Sequence, residues 1–183
     1  TSIKAHVPGS LVASVSWKDR SAVLMAGRDA DAVAWIETTT GNLTTNKVWA
    51  EELPAWIAKF NQERVIDSFH GTVWERSGPA KAYEGLVDER RFEWVHGNGS
   101  LSRSLPQPLT GGKEEPDLAY YNQIYMSPFG NTVIRHAAEA AIDGLELGKD
   151  EATDLLCVSF SNTDVVGHYF GPGSVEARDA LLR

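Results

Sequence analysis

Leu155-Leu156-Cys157-Val158-Ser159-Phe160-Ser161-Asn162-Thr163-Asp164-Val165-Val166-Gly167-His168-Tyr169-Phe170-Gly171-Pro172 is the stretch that decides how this chain is read. Its first six residues are an apolar run of strand length, short enough to be a buried strand. Asp164 and His168 follow, four residues apart. One helical turn between them sets both side chains on the same side of the backbone. Gly167 allows the close approach of a neighbour beside the histidine, and Gly171-Pro172 ends the turn. A carboxylate oxygen and an imidazole nitrogen are both ligands that zinc accepts. On spacing alone the capping or solubility pair is favoured; the setting shifts the balance toward a metal pair, because a solvated helix face would carry good helix formers where this one carries Gly167, Gly171 and Pro172.

Working outward, the segment before the strand reads as a helix. Val133, Ile134, Ala137, Ala138, Ala141, Ile142 and Leu145 share one face, with Gly148 as the stop. After the turn, Ser174 reads as an N-cap with Glu176 in the first turn, where negative charge is favoured. Helix, strand, loop, helix in this order is one unit of a parallel sheet. Near the start of the chain, Leu11, Ala13, Val15 and Trp17 alternate as a strand. It runs directly into Lys18-Asp19-Arg20 and a short helix from Ser21 to Ala26. A second strand spans Asp31 to Glu37, and Leu43-Thr44-Thr45 returns as its hairpin partner. A helix is expected from Ala50 to Gln62, with Pro54 in its first turn, and a shorter one from Val65 to Phe69.

Both chemistry-bearing stretches fall just beyond the carboxyl ends of strands, where sites gather in open parallel sheets. In an extended segment Lys18 and Arg20 point to one side and Asp19 to the other. Two cations converging on one point suit the oxygens of a phosphoryl group, with Arg supplying a planar fork of donors and Lys a point charge. The remaining histidines (His6, His70, His96 and His136) have no neighbouring ligand at metal spacing, and the tryptophans read as packing.

The chain has 183 residues and 42% hydrophobic content, enough for a sizeable core in one domain. A net charge of −8 argues against nucleic acid as a partner. No apolar run approaches the roughly 20 residues of a membrane span. The lone Cys157 rules out an internal disulfide framework, and its place in an apolar run reads as a buried core thiol. Residues 71–128 mix Gly, Pro, Ser and aromatics without a period, the mark of a functional insertion or a mobile loop. Its aromatics (Trp74, Tyr83, Phe92, Trp94) argue against full disorder. The expected organisation is an α/β part over 1–70, this irregular insertion over 71–128, and an α/β part over 129–183 carrying the candidate ligands. Thr1 is not a Met, and Ala180-Leu181-Leu182-Arg183 stops within a helical pattern. The chain therefore reads as a fragment of a longer protein.

Ser159 to Pro172 closely resembles a zinc-ligand motif of the alkaline phosphatase superfamily, in the branch joining type I phosphodiesterases and nucleotide pyrophosphatases with the phosphate-irrepressible alkaline phosphatases. Val15-Ser16-Trp17-Lys18-Asp19-Arg20-Ser21-Ala22-Val23-Leu24 is similar to the Lys-Asp-Arg segment of the latter group, which are phosphomonoesterases. The likeness extends through Asp31 to Glu37, Glu52 to Trp56, and Ser127-Pro128-Phe129-Gly130-Asn131-Thr132, and is least in 71–126. The resemblance implies an alkaline phosphatase-like α/β fold, a parallel-sheet sandwich with helices on both faces, incomplete here, with the insertion near the active-site mouth. It implies that Asp164 and His168 are two ligands of one Zn2+ in a two-zinc site. It implies that Lys18 and Arg20 hold the transferring phosphoryl group of a small phosphate monoester. It further implies a Thr or Ser nucleophile, a phospho-enzyme, and a periplasmic or secreted parent. The family's nucleophile, first Asp ligand, later Asp-His pair and further His have no counterpart in residues 1–183, and Thr163 does not hold the nucleophile's place. The 183 residues alone are therefore expected to be inactive. The rival readings are a phosphodiesterase or nucleotide pyrophosphatase, and a non-catalytic binding domain that retains the fold.

Overall fold

The computed structural model describes residues 2–86 and 105–183. Phe92, Trp94 and His96 lie outside the described residues, as does the start of the loop expected over Ser100 to Pro116. In chain order the elements are α1 (Ser2–His6), β1 (Val12–Ser16), α2 (Asp19–Ala26), β2 (Ala32–Glu37), β3 (Asn42–Thr44) and α3 (Ala55–Gln62). A 3-10 turn (Val65–Phe69), β4 (Val73–Trp74), a second 3-10 turn (Ala80–Tyr83), β5 (Gln107–Pro108), α4 (Leu118–Tyr125) and α5 (Phe129–Gly144) follow. β6 (Leu155–Ser159), α6 (Asn162–Phe170) and α7 (Val175–Leu182) come last. The residues group into two compact units. One comprises 1–37, 41–65 and 132–160; the other comprises 38–40, 66–131 and 161–183.

The first unit is built on a four-stranded sheet in the order β3-β2-β1-β6. β1 runs parallel to both β2 and β6, pairing Val15 with Ala34 and with Val158. The expected parallel sheet is thus present, with one antiparallel edge where β3 returns on β2 as the hairpin predicted. β1 is buried at every position, as a central strand covered on both faces must be. α2 crosses from β1 to β2, the short helical connection that parallel strands require. Its Ala22 and Ala26 pack on Val33. Asn61 of α3 acts as a substitute strand for the outer edge of β3. Its Oδ1 accepts from Leu43 N at 2.8 Å and its Nδ2 donates to Leu43 O at 2.9 Å. That pairing satisfies backbone groups an exposed edge would leave open. At the other end of the strands, Asp154 accepts from the backbone N–H groups of Gly148 and Leu11, both at 2.7 Å. These two bonds, Gly148's first, hold its carboxyl below the usual carboxylate range.

Several sequence expectations shift here. α3 starts at Ala55, five residues later than expected, with Pro54 as its N-cap at φ −57°, ψ 145°. β6 was expected to be buried, but Leu155 is exposed and the following four residues are only half-buried. It pairs with β1 alone among the described strands, and Cys157 is accordingly a half-buried thiol. α5 ends at Gly144, four residues before Gly148. It closes in a Schellman turn, with Leu147 N donating to Ile142 O at 3.0 Å and Glu146 held at φ 56°. A left-handed conformation is costly for a residue with a Cβ. Glu146→Gly is therefore expected to stabilise the protein by about 1 kcal/mol, read as a raised urea midpoint. Losing the exposed Lys149 pair at 3.3 Å costs little against this.

The second unit holds the β4–β5 ribbon, α4, α6 and α7. α4 lies within the segment that reads as irregular in sequence. Asp117 caps it, accepting from Ala119 N at 2.9 Å and Tyr120 N at 3.1 Å. Trp74 is fully buried and meets Phe170 edge-on, with ring centroids 6.0 Å apart at 84°. Ser174 caps α7 as expected, its Oγ accepting from Ala177 N at 3.0 Å.

Candidate metal centre and phosphate-binding segment

α6 is amphipathic in a way that fixes its exposed face. Asn162, Val165, Val166 and Phe170 point inward and are buried. That leaves Asp164 and His168 outward, with side chains 59% and 77% exposed. The helix ends where Gly171 adopts φ 89°, its N–H still donating to Gly167 O at 3.0 Å. His168 Nε2 and Asp164 Oδ1 are 3.4 Å apart. Zinc held at 2.0–2.2 Å in tetrahedral geometry sets two ligand atoms about 3.3–3.6 Å apart. The pair therefore already has the separation that a shared zinc requires, and it supplies one carboxylate oxygen and one imidazole nitrogen. A Cβ built at Gly167 meets nothing within 4 Å. Among the described residues, no neighbour uses the close approach that this glycine allows. The residues present fit zinc, although no group of three or more His, Cys, Asp or Glu that could hold a metal occurs among the described residues.

Lys18 and Arg20 take a different arrangement from the one expected. α2 begins at Asp19, so the Lys-Asp-Arg segment is a helix start and not an extended run. Lys18 is the N-cap at φ −87°, ψ 128°, and its carbonyl accepts from Ala22 N at 3.1 Å. Arg20 is the second helical residue. The strand period that would align the two side chains does not apply. Asp19 is the cause, since a carboxylate is favoured in the first turn and draws the helix start two residues earlier than Ser21. Its Oδ1 accepts from Arg20 N at 2.6 Å. The consequence is that both cations stand at the positive end of the α2 dipole, a position that favours negative charge. Ser16 Oγ accepts from Lys18 N at 3.2 Å and so joins the end of β1 to the cap.

Lys18 and Arg20 belong to the first unit, Asp164 and His168 to the second. A groove of about 460 Å3 between α3 and α5, lined by Trp56, Lys59, Phe60, His136 and Glu139 among others, contains none of the four. His136 sits 3.2 Å from Glu139, an intrahelical pair with no further metal ligand grouped with it among the described residues. Two features near α6 went unread in the sequence. Asn131 Nδ2 donates to Thr163 Oγ1 at 3.1 Å, and Asn162 Nδ2 donates to Tyr125 O at 2.8 Å. Nothing local signals either bond, because each joins residues more than 30 positions apart.

A sheet with parallel strands, a cationic helix start after one strand and an Asp/His helix after another stand where open α/β sheets carry their sites, beyond the carboxyl ends of strands. Residues 13–183 match the type I phosphodiesterase/nucleotide pyrophosphatase family, and the chain belongs to it. Among curated relatives, it is 35% identical over 184 residues to alkaline phosphatase PafA of Elizabethkingia meningoseptica, covering 95% of this chain and 31% of PafA. It is 34% identical to alkaline phosphatase PhoV of Synechococcus elongatus over 95% of this chain and 31% of that protein. It is also 33% identical to a Myroides odoratus protein named a calcium-transporting ATPase, over 95% of this chain and 32% of that one. The crystal structure of wild-type PafA superposes with a TM-score of 0.75 at 34% identity, covering 96% of this chain and 33% of PafA. A PafA mutant in which one Thr is Ser and an Asn, a Lys and an Arg are Ala superposes at 0.72 with 32% identity, over the same shares. The chain thus spans about a third of the length of the curated relatives it matches.

Proposed function

We propose that the whole protein is a zinc-dependent phosphomonoesterase of the alkaline phosphatase type, and that these residues supply one half of a zinc site and the cations that hold the phosphoryl group. The observation that carries the reading is the 3.4 Å separation of Asp164 Oδ1 and His168 Nε2 on one open helix face. Asp164 and His168 would hold one zinc, its other ligands and the nucleophile coming from outside this stretch. Zinc would supply Lewis-acid polarisation of the phosphoryl oxygens and help form the nucleophile. Lys18 and Arg20, at the α2 N-terminus, orient and neutralise the non-bridging oxygens. The PafA mutant supports this pairing, since the Lys and Arg replaced there are two positions apart, as Lys18 and Arg20 are. The phospho-enzyme route, the periplasmic or secreted location and the packing of 71–128 near the site follow the family resemblance alone.

A monoester presents one more free phosphoryl oxygen than a diester, and two cations plus a helix end favour the more highly charged group. ATP ends in such a group too, so the same site accommodates the ATPase name of the Myroides relative. The full-length protein is expected to turn over phosphate monoesters faster than diesters. Lys18→Ala and Arg20→Ala should each lower monoester kcat/KM by about 10²–10³-fold and diester kcat/KM by less. Faster diester hydrolysis by the parent protein would establish a phosphodiesterase instead. Absence of any zinc-dependent hydrolysis would establish a non-catalytic domain. The 183 residues alone should bind zinc weakly and hydrolyse neither substrate.

A further inference from the structure

The first turn of α6 is tied down in an unusual way. Its N-cap, Ser161, makes no side-chain capping bond. Two tertiary side-chain hydrogen bonds hold this turn instead. Asn162, fully buried, donates through Nδ2 to the carbonyl of Tyr125, at 2.8 Å. Tyr125 is the last residue of α4, and its carbonyl is one that the helix itself cannot satisfy. One residue on, Thr163 Oγ1 accepts from Asn131 Nδ2, in the first turn of α5, at 3.1 Å. Gly130 makes room for this. A Cβ there would stand 1.8 Å from Asn162 Nδ2 and 2.9 Å from Ile124 O, so no other residue fits. The bonds fix α6 in both rotation and depth, because they reach two consecutive residues from two different helices. Asp164 is the next residue, and His168 follows one turn later on the same face.

The arrangement is poor as a pure stability device. The buried Oδ1 atoms of Asn131 and Asn162 have no partner among the described residues, a state that an apolar side chain would avoid. Half-satisfied amides retained in the interior are accounted for when orientation matters more than stability. We infer that Gly130, Asn131, Asn162 and Thr163 form a positioning latch that sets the presentation of Asp164 and His168 to the metal. The inference rests on the reading of those two residues as zinc ligands. The latch residues touch no substrate; they act through α6, as the outer partners of metal ligands do elsewhere.

The test uses the full-length protein, with zinc and cobalt(II) as probes. Thr163→Val keeps the side-chain shape and removes the acceptor of Asn131. It is expected to weaken zinc binding at this site by about 10–100-fold and to alter the visible spectrum of the cobalt-substituted protein. It should lower kcat with KM unchanged. Thr163→Ser, which keeps the hydroxyl, should restore all three. Gly130→Ala and Asn162→Leu should act in the same direction and more strongly. If either fails to fold, the Thr163 pair still decides. A Thr163→Val protein with the wild-type zinc affinity and cobalt spectrum overturns the latch. His168→Ala separates the two levels. If it keeps all its zinc, the ligand assignment has failed and the latch with it. If it loses zinc while Thr163→Val does not, only the latch has failed.

Discussion

Asp179→Ala is expected to destabilise the protein by about 3–5 kcal/mol, seen as a large fall in the urea or thermal midpoint. Asp179 is fully buried in α7 and accepts five hydrogen bonds. They come from Trp74 Nε1 at 2.7 Å, Ser77 N at 2.6 Å, Ser77 Oγ at 2.8 Å, Tyr83 Oη at 2.6 Å and Arg183 Nε at 3.0 Å. Deleting the carboxylate strands the Trp74 and Tyr83 donors in a dry interior and leaves the guanidinium without its partner. Asp179→Asn should also destabilise, because an amide turns two donors of its own toward a shell that consists only of donors.

The pH dependence carries a sign that can be checked. Burial pushes the Asp179 carboxyl up, but the hydrogen bonds from Ser77 N–H, Tyr83, Trp74 and the Ser77 hydroxyl together outweigh it. The folded-state value lies below the ordinary one. A depressed carboxylate contributes its stability in full above the unfolded value of about 3.9. That stability is lost as pH falls through the folded value. The gap between the parent protein and Asp179→Asn should therefore be constant from neutral pH to about pH 4–5 and shrink below it. A gap that widens in acid would show that the carboxylate is not the stabilising form.

This hub also shows where sequence reading stops. Trp74 and Asp179 are 105 positions apart, and no spacing rule joins them. What could be read is local. The hairpin of β2 and β3, the cap of α7 at Ser174 and the single helical turn between Asp164 and His168 each follow from neighbouring residues. α4 could not be read by period, because Tyr120, Tyr121, Gln123 and Ile124 are all buried and the helix has no regular polar stripe. Its one legible signal was the Asp117 cap. For β6 an apolar run predicts burial on both sides, but its pairing with β1 alone among the described strands leaves it half-buried. For the site, the residue types of both stretches were legible, while the helical start at Lys18-Asp19-Arg20 was not. The reason is that alternation of charge looks the same in a strand and in the first turn of a helix.

The strongest functional effect is expected from the α6 pair. In the full-length protein, His168→Ala should lose one zinc per chain by metal analysis and lower monoester turnover by on the order of 10³-fold or more, equivalent to the several kcal/mol that a metal contributes to transition-state charge stabilisation. Asp164→Ala should do the same. Asp164→Asn, which keeps an oxygen but not its charge, should weaken zinc binding while leaving some occupancy. Neither residue should matter to folding of the metal-free protein, since their side chains are 77% and 59% exposed and an exposed pair at 3.4 Å contributes at most about 1 kcal/mol. That separation is the diagnostic. Loss of zinc and activity with an unchanged metal-free unfolding midpoint identifies ligands, whereas parallel loss of stability and activity identifies a structural pair. If His168→Ala retains both its zinc and its turnover, the pair is a surface ion pair on a helix, and the metal site must be sought on other residues.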